Sequence, residues 1–257
     1  SRIQGIICNN KISNVFPGGK TSGVDNAKKV AQSALHELNR ANNITNSTIT
    51  STFLPSSTGV IGWRIPVDEM IQEMPTLIQN LDNKSALPAA QGIMTTDLYP
   101  KVRGVEIPCE NGDLGLLTGI AKGAGMIEPN MATMLGKNKM ITKQGLNDSS
   151  IHYHFCSMFF YSYLLTCIYI FLFFLPVFFI TDIDVSGIGD EIKSRNILSN
   201  CLQNSVQSTF NRISVDTDTS TSDSITIMSS NQKKLDPKDV KIFQKKLTTM
   251  CYDLSDD

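Results

Sequence analysis

The sequence predicts a mixed α/β protein, and three observations carry that prediction. Short aliphatic and β-branched runs recur along the chain, amphipathic helical patterns separate them, and glycine, proline and asparagine mark the turns. The 257 residues suffice for a full hydrophobic core in one or two domains. The formal net charge is −1 and the sequence has no long basic run, so nucleic acid is not an expected partner.

The first part of the chain predicts a strand, a helix and a second strand. Residues 5–8 form a short aliphatic run that is typical of a buried strand. A helix is expected over residues 25–39, because apolar side chains recur on one face and Ser22 can cap the first turn. The β-branched run 48–54 predicts a strand that leads directly into residues 57–59.

The middle of the chain predicts a short helix and a β-hairpin. The helical pattern of residues 67–74 is expected to end at Pro75, because proline cannot donate the next hydrogen bond of the helix. Residues 102–109 and 114–121 have the composition of two strands. The Asn-Gly-Asp sequence at 111–113 between them is a strong hairpin signal.

The last part of the chain continues the alternation of helices and strands. Residues 191–209 have an amphipathic helical pattern, and residues 213–215 and 225–228 are short β-branched runs. An Asp-Pro pair at 236–237 then starts a final helix with an apolar stripe.

Cysteines and histidines give no sign of a metal site or a catalytic triad. The six cysteines are scattered without a Cys-x-x-Cys pair, which is typical of reduced, buried thiols in an intracellular protein. Of the three histidines, His36 lies on a predicted helix, and His152 and His154 lie in the segment with the least regular pattern.

The chemically most informative segment is residues 122–135, which read KGAGMIEPNMATML. It combines Lys122, two glycines, a proline and an Ala132-Thr133 step, which suits a strained junction where a threonine hydroxyl attacks its own preceding carbonyl. Cleavage there would leave Thr133 with a free α-amine beside its hydroxyl, an arrangement used in nucleophilic catalysis. The alternative interpretation is a loop that packs its methionines and isoleucine into a core.

Segment 122–135 resembles the self-cleavage signature of the bifunctional ornithine acetyltransferase / N-acetylglutamate synthase family of arginine biosynthesis. Three further blocks resemble that family in the same order along the chain: STGVIG at 57–62, IMTTD at 93–97 followed by Pro100-Lys101, and FNRISVD at 210–216 followed by DTST at 218–221. The matching portion runs over residues 5–135 and 180–254, the middle of a family enzyme.

The resemblance implies a fold, a cleavage site and a set of site residues. The fold is α/β (α+β), with sheets sandwiched between helical layers. Cleavage between Ala132 and Thr133 divides the chain into an N-terminal segment, 1–132, and a C-terminal segment, 133–257. The implied roles are nucleophile for Thr133, oxyanion hole for Thr58 and Gly59, and substrate binding for Thr95, Thr96 and Lys122.

The resemblance also implies a reaction and its partners. An acetyl group moves from N-acetylornithine to Thr133 and then to glutamate, without a metal or nucleotide cofactor, and acetyl-CoA is an alternative acetyl donor. The cleaved chains are expected to assemble into a heterotetramer. The expected compartment is the mitochondrial matrix for a eukaryotic source and the cytoplasm otherwise.

One stretch does not fit the family pattern. Residues 155–180 contain no charged residue and eight of the twelve phenylalanines. We interpret residues 136–179 as a retained intron, because Gly136-Lys137 can be encoded by a 5′ splice site and the Phe-rich run by a pyrimidine tract. Two alternatives remain: an apolar structural insertion, or a real membrane span, for which about 20 apolar residues suffice. A span would make the chain a single-span membrane protein with a degenerate, inactive acetyltransferase-like domain.

Overall fold

A computed structural model describes residues 2–19, 22–44, 51–123, 135–136, 155–157, 176–213 and 223–257. Within them lie eight strands: β1 (Arg2–Asn9), β2 (Ser51–Ser57), β3 (Lys101–Pro108), β4 (Leu114–Ala121), β5 (Leu135–Gly136), β6 (Phe155–Ser157), β7 (Pro176–Asp184) and β8 (Ser224–Lys234). The described helices are α1 (Gly23–Ala41), α2 (Val67–Gln79), α3 (Leu87–Ile93), α4 (Glu191–Ser208) and α5 (Val240–Asp256).

The strands form two sheets. The smaller sheet has the order β2-β1-β6, and both of its pairings are parallel. The larger sheet has the order β3-β4-β7-β8-β5. Its β3-β4 and β4-β7 pairs are antiparallel, whereas β8 pairs in parallel with both β7 and β5.

Successive residues of the strands face opposite cores, as expected where both faces of a sheet are covered. In β7, Val177 and Phe179 pack against α4 and α5, whereas Phe178 and Ile180 pack between the two sheets. In β1, Ile7 faces the core formed with α1 and α2, and its neighbours face the larger sheet. The layers are therefore helices, sheet, sheet and helices, which confirms the predicted sandwich.

Local signals explain where several elements begin. The Ser22 hydroxyl accepts a hydrogen bond from the backbone N–H of Asp25 at 3.1 Å and caps α1, as predicted. Residues Asn111 and Gly112 adopt the positive φ values of 59° and 80° in the turn between β3 and β4. Asparagine and glycine tolerate that conformation best, which confirms the predicted hairpin.

One prediction about the helices was wrong, and one helix was missed. Helix α2 does not end at Pro75 but continues to Gln79. Its buried stripe runs through both sides of the proline, so packing against the core outweighs the one hydrogen bond that proline removes. Helix α3 was not predicted, because it has only seven residues and too short a pattern to reveal a helical period.

The end of the apolar stretch belongs to the larger sheet. Strand β7 begins at Pro176, and its residues Val177 to Phe179 are fully buried and pair with both β4 and β8. Residues 176–179 thus contribute to the sheet, although they fall inside the predicted 136–179 insertion. Gly136 of β5 and residues 155–157 of β6 also fall inside it, and they pair with β8 and β1. Among the residues that the structure describes, no helix has both the length and the apolar character needed to cross a membrane.

Candidate active site

Two strand ends and one loop are linked through hydrogen bonds near the end of β1. The N–H of Thr58 donates to the carbonyl of Asn9, and the side chain of Asn10 donates to Gly92 and Met94, just before Thr95. The smaller sheet contributes Thr58 and Gly59, directly after β2, and the larger sheet contributes Lys122, directly after β4. The third part is the loop after α3, which carries Thr95. Loops held at the ends of rigid elements commonly carry binding and catalytic side chains, so this junction is the candidate site.

Thr58 is a buried residue with a polar side chain. The residue has 0% exposure, and its backbone N–H donates to the carbonyl of Asn9 at 3.0 Å. Its Oγ1 atom has no hydrogen-bond partner among the described residues. A buried hydroxyl without a partner costs about 1–3 kcal/mol, so its retention suggests a ligand or reaction intermediate that uses it.

Gly59 fits its position because it has no side chain. Its φ is +131°, and an added Cβ would lie 2.1 Å from the carbonyl carbon of Lys11. The same stretch is fixed by a hydrogen bond of 2.9 Å from the N–H of Val60 to the carbonyl of Lys11. The loop after β2 is therefore pressed against residues 11–12 and has a defined backbone course, as an oxyanion-binding N–H requires.

Lys122 is a buried cation beside a hydroxyl. The residue is 1% exposed, and its Nζ donates to Oγ1 of Thr95 at 2.7 Å. Burial lowers the pKa of Lys122 to about 8, against the attraction of the Asp97 carboxylate, which raises it. The ammonium form therefore predominates at neutral pH, and the group is poised to bind an anion.

An ion pair supports the loop that carries Thr95. The ammonium of Lys101 lies 3.0 Å from Oδ1 of Asp97, and the two side chains are 7% and 0% exposed. Burial alone would raise the pKa of Asp97. Hydrogen bonds from the N–H groups of Gly123 and Thr95, together with the charge of Lys101, lower the pKa by more, so it lies below its ordinary value. Asp97 is thus a fixed negative charge beside the site.

Asn10 connects the two halves of the site, and Cys8 lies two residues before it. Burial raises the pKa of the Cys8 thiol to about 12. It is therefore a neutral thiol near pH 7 and does not compete as a nucleophile. The side-chain amide of Asn10 donates to the carbonyls of Gly92, at 3.2 Å, and Met94, which ties the end of β1 to the loop that carries Thr95.

Five of the seven sequence-predicted site residues lie in the described part of the chain. Lys122 and Thr95 are in direct contact, whereas Thr96 is exposed. Ala132 and Thr133 lie outside the described residues, so the cleavage site and the nucleophile stay predictions. The predicted strand 213–215 also lies largely outside them, with only Ile213 described.

Sequence reasoning missed the roles of Asp97 and Lys101. Both lie in the quoted IMTTD…PK block, and their four-residue separation across a proline was the available signal. This separation did not predict an ion pair, because side chains four residues apart are expected to meet only on a helix. The segment that carries Asp97 and Lys101 is instead a loop leading into β3.

Fold and site together define a layered α/β protein with a buried cation and, among the described residues, a buried hydroxyl without a partner. The model of the ArgJ family matches residues 1–151 and 177–257. The chain belongs to the ArgJ family, which confirms the resemblance found in its sequence.

Three curated relatives illustrate the similarity. The chain is 29% identical over 258 aligned positions to "Arginine biosynthesis bifunctional protein ArgJ 2" of Clostridium acetobutylicum, which covers 100% of this chain and 49% of the relative. It is 31% identical to "Glutamate N-acetyltransferase" of Methanococcus maripaludis, over 93% of this chain and 45% of the relative. It is 37% identical to "Arginine biosynthesis bifunctional protein ArgJ, mitochondrial" of Podospora anserina, over 52% of this chain and 27% of the relative. The chain spans about half the length of the curated relatives that match it throughout.

Proposed function

We propose that this chain is part of an acetyltransferase of arginine biosynthesis that moves an acetyl group from N-acetylornithine to glutamate. The observation that carries the proposal is the buried Lys122 ammonium, held 2.7 Å from the Thr95 hydroxyl between the sheets. A desolvated cation binds a carboxylate strongly, and both substrates carry an α-carboxylate. Membership of the ArgJ family favours this function over a single-span membrane protein with an inactive domain.

The proposed chemistry proceeds through two acyl transfers. Cleavage of the Ala132–Thr133 bond frees the α-amine of Thr133, which takes the proton from the Thr133 hydroxyl. The oxygen attacks the acetyl carbonyl of N-acetylornithine, and ornithine leaves as its amine after taking up a proton. The amine of glutamate then attacks the acetyl-Thr133 ester, the ester bond breaks, and the threonine oxygen regains a proton.

Thr58 and Gly59 are the proposed donors to the oxyanion of both steps. The Thr58 hydroxyl is buried and free of partners among the described residues, so it can donate without first breaking another hydrogen bond. The backbone of Gly59 is held in one conformation by its contact with Lys11. Preorganised donors of this kind are worth the most in a buried site, because they need no reorganisation during the reaction.

We further propose that the retained intron ends within the Pro176-Val177 codons, three residues earlier than the sequence pattern first suggested. Proline and valine can be encoded by CCA-GTN, which contains the terminal AG of an intron. The intron would begin after the first G of the Gly136 codon. That G would then join the last two bases of the Val177 codon, TN, and the new codon GTN again encodes valine. In the spliced product, Leu135 is therefore followed by valine and then Phe178. The family match runs to residue 151 and resumes at residue 177, so it supports the downstream boundary alone.

The alternation of β7 also supports the earlier boundary. Val177 pairs with Ala121, and both face the helical side of the larger sheet, whereas Lys122 contacts Thr95 on the inner side. With Leu135 joined to Val177, a regular continuation of the strand puts Thr133 on the inner side with Lys122. Joining Leu135 to Ile180 instead would put Thr133 at the position of Val177, on the opposite face.

Sequencing the mature transcript across the codons for residues 130–187 tests this boundary. The expected product lacks the codons between Leu135 and Val177. A transcript in which Leu135 directly precedes Ile180 would contradict the proposed boundary. A transcript that retains the whole stretch would contradict the intron, and carbonate-resistant membrane association that depends on residues 155–180 would then support a span.

The function itself is tested with the full-length protein expressed from the mature transcript. We expect two fragments separated at Ala132–Thr133, ping-pong kinetics, and an acetylated Thr133 peptide detectable by mass spectrometry. The variant Thr133→Ala should abolish both cleavage and transfer, and Thr133→Ser is the matched variant that keeps a hydroxyl. An uncut protein with full activity would contradict the mechanism.

We also propose a second acetyl donor, a compartment and an assembly for the enzyme. Acetyl-CoA is a second candidate acetyl donor, because some relatives are called bifunctional. The mitochondrial matrix is the proposed compartment, supported by the printed name of the Podospora anserina relative. Association of the two cleaved segments into a heterotetramer is proposed, and size measurement of the cleaved protein by light scattering tests it.

A further inference from the structure

A buried ion pair holds both polar groups of one glycine. Asp97 and Lys101 lie 3.0 Å apart with almost no exposed side-chain surface. The N–H of Gly123 donates to Oδ1 of Asp97 at 2.6 Å, and the ammonium of Lys101 donates to the Gly123 carbonyl. On the other side, the N–H of Thr95 donates to Oδ2 of Asp97 at 3.0 Å.

The Asp97–Lys101 pair thereby links the backbone next to Lys122 with the backbone of Thr95. Gly123 directly follows Lys122, and Thr95 is itself one of the residues that Asp97 binds. The distance of 2.7 Å between the Lys122 ammonium and the Thr95 hydroxyl therefore depends on where the pair holds the two backbones. Buried ion pairs seldom add stability over an apolar pair of the same size, so its presence here calls for a geometric explanation.

We propose that Asp97 and Lys101 are positioning residues: they fix Gly123 against the Thr95 loop and so direct the Lys122 ammonium and the Thr95 hydroxyl toward the substrate. The part that concerns substrate rests on the proposed acetyltransferase function, whereas the effect on Lys122 can be measured without substrate. A displacement of about 1 Å at such groups can cost up to about 100-fold in rate.

The charges around Lys122 predict the direction in which its pKa should shift when Asp97 or Lys101 is replaced. Burial lowers the pKa of Lys122 to about 8, the charges of Asp97 and Asp223 raise it, and the charge of Lys101 lowers it. Neutralising Asp97 should therefore lower the pKa of Lys122 further, and neutralising Lys101 should raise it. A pair that did not act on Lys122 would leave this pKa at about 8 in both variants.

The test is a pH titration of lysine Nζ resonances by ¹⁵N NMR in the full-length protein, with Lys122→Met used to assign the signal. We expect a pKa of about 8 for Lys122 in the unmodified protein, a lower value in Asp97→Asn and a higher value in Lys101→Met. An unchanged pKa in both variants would overturn the proposal. If Asp97→Asn does not fold, the kinetic comparison below decides.

The kinetic test compares two lysines that each pair with a buried carboxylate. Lys101→Met is expected to raise KM for N-acetylornithine by up to about 100-fold, and Lys101→Arg should recover part of that loss. Lys233 pairs with Asp182 at 3.3 Å at another part of the larger sheet, so Lys233→Met is the matched control. It should lower stability without changing KM. Equal KM values in Lys101→Met and the control would overturn the positioning role.

Failure of the proposed acetyltransferase function and failure of the positioning role would give different results. If the unmodified protein neither cleaves nor transfers acetyl while the Lys122 pKa shifts in opposite directions in the two variants, the pair still acts on Lys122 and the proposed function is wrong. If cleavage and transfer occur but the Asp97 and Lys101 variants leave KM and the pKa unchanged, the function stands and the positioning role is wrong.

Discussion

The two sides of the site differ in how they present hydrogen-bond donors. On the smaller sheet, Thr58 and Gly59 offer a neutral hydroxyl and a backbone N–H in a loop fixed by packing. On the larger sheet, Lys122 and Thr95 are held by a charged network that includes Asp97. Neutral, fixed donors suit an oxyanion that exists only during the reaction, whereas a cation suits a carboxylate that is present throughout. The two sides should therefore affect different kinetic constants.

The largest effect is expected on the charged side. Lys122→Met removes a buried cation that binds substrate, and losing one member of a buried charge pair costs about 2–5 kcal/mol. We expect kcat/KM for N-acetylornithine to fall by about 1,000-fold, mainly through a higher KM. Lys84→Met, which changes an exposed lysine, is the matched control. Steady-state kinetics would contradict the assignment if Lys122→Met changed kcat alone.

A slightly smaller effect is expected on the neutral side. Thr58→Val keeps the shape of the side chain but removes its hydroxyl, so kcat should fall by about 100- to 1,000-fold with little change in KM. Thr58→Ser should retain most of the activity. Ser57→Val is a useful comparison, because the Ser57 hydroxyl already donates to Asn9 at 2.5 Å and has no proposed role in the reaction. A KM effect in Thr58→Val would remove the distinction between the two sides.

The backbone of the neutral side can be tested with two glycines. Gly59→Ala puts a Cβ within 2.1 Å of the Lys11 backbone, whereas Gly62→Ala meets nothing within 4 Å, although both glycines have positive φ. The positive φ costs about 1 kcal/mol in either variant, and the overlap at Gly59 adds a shift of the loop. Gly59→Ala should therefore unfold at a distinctly lower urea concentration than Gly62→Ala. Similar midpoints would show that the loop after β2 is not pressed against residues 11–12.

The sequence was a good guide to the neutral side and a partial one to the charged side. A strand before Thr58 could be predicted from local composition, over residues 48–54, whereas β2 covers Ser51–Ser57. The Thr58-Gly59 step was found from a recognisable block. Lys122 was also found in a block, but its partner had to be chosen between Thr95 and Thr96, which only the fold distinguishes. The Asp97–Lys101 pair depends on Gly123, which lies 22 residues or more along the chain, and no local pattern reveals that contact.

The same limit explains the errors in the fold. Pro75 is a local signal for the end of a helix, but the core contacts of Met74 and Leu77 on either side of it decide that α2 continues. Val177 and Phe179 have the composition of an apolar run, and only their pairing with β4 and β8 identifies them as strand residues. In each case a long-range contact outweighs a short-range preference.

The smallest expected effect is a difference in how stability depends on pH. The pKa of Lys122 is lowered to about 8 by burial, below its ordinary value of 10.5. Between these two values the unfolded chain binds a proton that folded Lys122 has released, so the free energy of unfolding rises with pH, by on the order of 2 kcal/mol from pH 8 to pH 10. Lys122→Met should lose this increment, whereas Thr58→Val should keep it, because Thr58 carries no charge. Urea unfolding of the three proteins at both pH values measures the difference, and groups that titrate elsewhere cancel in the comparison. An equal rise in all three would mean that Lys122 is not buried as a cation and that the two sides of the site do not differ in charge.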